Sequence, residues 1–100
     1  MNNTTHYTSF PKGEHKPEDL GRKNGFETAI VALREAREKA TEYHSHHNVQ
    51  AIAARDAMEA GQLKGDTLYK HHAEQRAYFL HKSEALLDAI NEMKKLRDNT

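Results

Sequence analysis

The sequence predicts an all-α protein. It reads as a long antiparallel helical hairpin, with helices over about residues 25–60 and 66–98 and an extended N-terminal arm before them. Two observations carry this reading. Two long stretches free of Pro and Gly place apolar residues at helical spacing. Between them stands Gly61-Gln62-Leu63-Lys64-Gly65-Asp66, which has the chemistry of a bend. Gly61 can adopt the left-handed backbone that closes a helix. Gly65 supplies the bend, Leu63 can fold back as an apolar plug, and Asp66 can accept backbone N–H groups to start the next helix.

Residues 1–24 read as an arm, flexible or docked on a partner, and residues 25–100 as the hairpin domain. Pro11, Gly13, Pro17 and Gly21 break any period in the arm. Pro17-Glu18-Asp19-Leu20 suits one helical turn, with Pro in first position and acids in the first turn. Tyr7, Phe10 and Leu20 are apolar points along this otherwise polar stretch, able to dock on the hairpin or fill a partner's groove.

The first helix is expected to begin at Asn24, which forms a capping-box pattern with Glu27. Phe26, Ile30, Leu33, Ala36, Ala40 and Tyr43 follow at helical spacing. The pattern falters at His44-Ser45-His46-His47-Asn48, all poor helix formers. Val49, Ile52, Ala53, Ala57 and Met58 resume it on a rotated face. With no Pro or Gly in the interval, one continuous helix is favoured over two.

The second helix carries Leu68, Tyr69, His72, Ala73, Arg76, Phe79, Leu80, Ser83, Leu86, Leu87, Ile90, Met93 and Leu96 as a stripe, close to the coiled-coil period. The first helix is rich in Ala and the second in larger apolar residues, a combination that lets two helices approach closely. A lone pair covers only one side of each stripe, so a homodimer forming a four-helix bundle is expected, or a groove completed by another protein.

Composition narrows the function. Fifteen Lys and Arg balance fifteen Asp and Glu, which argues against both a strongly basic nucleic-acid binder and an acidic nucleic-acid mimic. The absence of Cys removes disulfides and thiolate metal sites. No apolar run nears the ~20 residues that span a bilayer, and the first residues lack a signal peptide's basic start and apolar run, so a cytoplasmic protein is expected.

Eight His stand out. If residues equidistant from about position 64 face each other, His44 meets Glu84 and His47 meets His81. Those four could form a first shell for zinc, in a histidine-and-glutamate bundle site. Outside that alternative no cofactor is expected. No nucleophile, oxyanion loop or phosphate-binding Gly run accompanies the His, so the chain is not read as an enzyme.

The favoured reading is a protein-interaction module: an adaptor, assembly factor or inhibitor of a larger protein, of a kind phages and mobile elements encode. Tyr7, Phe10, Tyr43, Tyr78 and Phe79 are its candidate partner-binding residues, because aromatic anchors dominate interface energetics. The alternative is a small nucleic-acid binder using Arg22, Lys23, Lys82, Lys94, Lys95 and Arg97, a basic end that Asp88, Glu92 and Asp98 interrupt.

Overall fold

A computed structural model describes residues 17–99. Two antiparallel α-helices account for nearly all of them: α1, Pro17–Glu59, and α2, Thr67–Asp98. At 1.5 Å rise per residue, the 43 residues of α1 extend about 64 Å and the 32 of α2 about 48 Å. The result is a rod of 78 × 23 × 14 Å.

α1 starts at Pro17, earlier than the Asn24 start expected from the capping-box pattern. Pro fits the first helical position, and Glu18 and Asp19 complement the positive end of the helix dipole. Asn24 therefore sits inside α1, and its main-chain carbonyl accepts a hydrogen bond from Thr28 Oγ1 at 3.0 Å. The helix takes in residues 17–24 of the expected arm; residues 1–16, including Tyr7 and Phe10, lie outside the described residues. α1 continues without interruption through His44-Ser45-His46-His47-Asn48, as the lack of Pro and Gly there allows.

The bend is closed by backbone hydrogen bonds. Gly61 N–H donates to Met58 O at 3.0 Å, and Gln62 N–H to Ala57 O at 2.8 Å. This is the doubled arrangement of a Schellman motif, and it needs the positive φ that Gly61 has, 78°. Leu63 N–H also reaches Ala57 O, so the chain folds back along the last turn of α1. Asp66 precedes α2 but makes no side-chain cap, contrary to the expectation. Its carboxylate pairs with Lys70 Nζ at 3.1 Å instead.

Half-buried Ala73, Gln75, Ala89 and Lys94 flank a buried or half-buried line along α2 formed by Tyr69, His72, Arg76, Phe79, Ser83, Leu86, Ile90, Met93 and Arg97. The spacing along this line alternates strictly between three and four residues, the seam of a coiled-coil pair. On α1 the facing positions include Ile30, Leu33, Ala40, His44, His47, Ala51, Ala54 and Met58. The rotated face expected for Val49 and Ile52 is not formed. Ala51 and Ala54 are buried, whereas Val49 is 59% and Ile52 39% exposed. Toward the bend the seam is therefore filled by small residues, and the β-branched ones lie outside it. Ile30 and Ile90 close the far end. Beyond them Arg97 Nη1 donates to Glu27 Oε1 at 2.7 Å, so the first turns of α1 project past the end of α2.

Gly25 lies within α1, and an added Cβ there would meet no atom within 4 Å. Gly25→Ala should therefore stabilise the fold by about 1 kcal/mol in urea titrations. Gly61→Ala, forced into a positive φ, should destabilise it by about 1 kcal/mol or more. Equal effects of the two substitutions would contradict this account of the bend.

Candidate functional site

The middle of the seam is polar, and both helices contribute to it. His44, His47 and Asn48 come from consecutive inward turns of α1, and His72 and Arg76 from α2. His44 Nδ1 is 3.0 Å from Arg76 O. A carbonyl only accepts, so this nitrogen carries the proton and donates. Arg76 Nη1 donates to Asn48 Oδ1 at 3.0 Å. His47 Nδ1 and His72 Nδ1 stand 2.9 Å apart, so one donates a single proton to the other's lone pair.

An aromatic group adjoins this network. Phe79 stacks flat on His47, with centroids 5.8 Å apart and an interplanar angle of 3°. Tyr43 leans on the same Phe79 ring at 5.0 Å, and Tyr78 meets it edge-on at 4.9 Å. Lys82 Nζ lies 5.8 Å from the Tyr78 ring centroid. Tyr43, Tyr78 and Phe79, three of the five sequence-predicted partner residues, thus form one patch. Phe79 is its half-buried base, and Tyr43 and Tyr78, 51% and 56% exposed, are its faces.

The register moves the histidines away from the expected metal set. His47 faces His72 in place of His81, nine residues nearer the bend, and His44 meets Arg76 in place of Glu84. The Schellman turn folds the chain back along α1, so facing positions are not symmetric about residue 64. His81 Nδ1 instead bonds Glu84 Oε1 of its own helix at 3.0 Å, on the exposed surface. The expected set of His44, His47, His81 and Glu84 does not converge. Among the described residues no three His, Asp or Glu side chains are grouped to hold a metal.

The basic residues also separate. Arg97 is engaged by Glu27 and, through Nε at 3.1 Å, by Asp98. Arg22 lies 5.7 Å from the Phe26 ring centroid on the projecting part of α1. Lys82 stands with Tyr78, about 18 Å along α2 from Lys94, at 1.5 Å per residue. Lys94 is half-buried and Lys95 exposed.

Sequence reasoning placed His72 and Arg76 on the inward stripe but missed their partners, and it missed Asn48 altogether. The available signal was Gly61: a Schellman closure there fixes how far the chain folds back. No protein-family model matches this chain, and neither does any curated protein or solved structure.

His47 and His72 both hold their protons less tightly than a free imidazole. For His47 the cause is first its partial burial in the seam, then the charges of His46, His72 and His71. For His72 it is burial, then His71 and His46. With folded pKa values lowered, the unfolded chain binds more protons in acid. The stability these groups contribute is thus complete above the unfolded value of about 6.5 and is lost as pH falls through the folded values. The melting temperature should hold at about pH 7.5 and drop by about pH 5.5, and His72→Gln should flatten that drop. An unchanged wild-type melting temperature over this range would contradict the assignment.

Proposed function

We propose that this chain is a non-enzymatic protein-interaction module: an adaptor, assembly factor or inhibitor that self-associates and engages a larger protein. The observation that supports this is the apolar surface left uncovered. Only Ile30, Ala40, Ala51, Ala54 and Ile90 are buried among the described residues, and three of these five are Ala. Val31, Tyr43, Val49, Ile52, Leu68, Tyr78, Leu80 and Leu87 all remain substantially exposed. Single exposed apolar residues are ordinary, but so many beside so small a core suit a surface that another chain covers. The patch of Tyr43, Tyr78 and Phe79 adds amphipathic aromatic anchors, the residue type that carries most interface energy.

A tagged chain, incubated with host lysate with and without nuclease, should capture a stoichiometric protein that survives nuclease. Tyr78→Ala should weaken that capture by roughly tenfold or more, the effect of losing an interface anchor, while far-UV circular dichroism stays unchanged. Capture abolished by nuclease would replace this reading with nucleic-acid binding, and its affinity would then fall steeply with salt. Undiminished capture by Tyr78→Ala would remove the aromatic patch from the interface.

A further inference from the structure

We propose that His47 and His72 form a two-imidazole clamp for a divalent transition-metal ion, tying α1 to α2 at the middle of the seam. The two Nδ1 atoms face each other at 2.9 Å, with ring centroids 5.1 Å apart and planes inclined at 35°. Two imidazole nitrogens on one tetrahedral zinc, each about 2.0–2.1 Å from the ion, stand about 3.3 Å apart. Opening the pair by a few tenths of an ångström makes room for the ion, which takes the place of the shared proton. The ring that had donated changes tautomer, its proton passing by exchange with solvent from Nδ1 to Nε2, so that two neutral imidazoles each offer an Nδ1 lone pair to the metal.

The surroundings favour this exchange. His47 is held flat against Phe79, and both ligands stand on helices rather than on a loop. Arg76 is the cation one turn along α2 from His72, and its guanidinium is engaged by Asn48 Oδ1. His46 and His71 each place a ring centroid 5.0 Å from that of a clamp histidine. Since no three ligands are grouped in advance, water completes the coordination unless one of these two rings turns inward. Imidazole selects zinc, nickel and copper over hard ions such as magnesium, which prefer oxygen.

Thermal melting of the full chain with zinc, nickel, copper or magnesium chloride tests the clamp. Zinc at about a hundredfold excess over its Kd should raise the melting temperature by roughly 10 °C or more. Copper should bind more strongly than nickel, and magnesium should do nothing. His47→Gln and His72→Gln should each abolish the zinc shift, while His81→Gln keeps it. A second measurement needs no variant: paramagnetic nickel should broaden the NMR signals of His47 and His72 before those of His81. No zinc shift in the wild type, a shift that survives His47→Gln with His72→Gln, or broadening centred elsewhere would each overturn the proposal.

Discussion

Two helices share one seam, and that constraint governs the rest of this molecule. A helix in a pair can cover only the residues that recur every three or four positions along the contact line. In α2 that line runs from Tyr69 to Arg97 without a break in its alternation. Side chains one position to either side, such as Leu68, Leu80, Leu87 and Leu96, are left substantially exposed however apolar they are. A third or fourth helix would cover them; a hairpin alone has none to offer. The interaction role proposed here follows from that deficit.

The seam itself changes character along its length. Near the bend Ala51 and Ala54 fill it, at the far end Ile30 and Ile90 do, and between them lie His44, His47, Asn48, His72 and Arg76. The polar stretch gains little from burial, but its hydrogen bonds are directional. His44 to the Arg76 carbonyl, Arg76 to Asn48 and His47 to His72 are satisfied together in one register. Sliding one helix by a turn would leave these groups half-buried without partners, which costs more than the net gain of each bond. Alanines pack acceptably in several registers; this network does not. The histidines therefore specify alignment, and at the same place they introduce sensitivity to protons and to metal ions.

Much of the fold was legible in the sequence because its signals are local. The absence of Pro and Gly from residues 26–60 and 66–99 permits long helices, the helical spacing of apolar residues signals them, and Gly61 and Gly65 mark the bend with positive φ values. What was not legible depends on contacts between distant residues. The Asn24-to-Glu27 capping pattern is sound local chemistry, but Pro17 offered an earlier start, and Glu27 bonds to Arg97 instead. Val49 and Ile52 looked like core by hydrophobicity, yet the register turns Ala51 and Ala54 into the seam and leaves those two outside. The candidate metal set failed on register alone, since nine positions separate His81 from the residue that faces His47. Tyr43, Tyr78 and Phe79 lie together in the structure, a proximity across the two helices that the sequence pattern does not announce.

The most direct test of the central claim, that this hairpin is completed by a second molecule, is its mass and helicity on serial dilution. Sedimentation equilibrium and far-UV circular dichroism would be measured on the same samples of the full chain. If copies of the chain cover each other's exposed apolar stripes, the mass exceeds that of a single chain, and mass and helicity fall together on dilution. A single-chain mass with undiminished helicity and cooperative melting at every concentration would contradict the claim, because the narrow seam would then be holding the fold unaided.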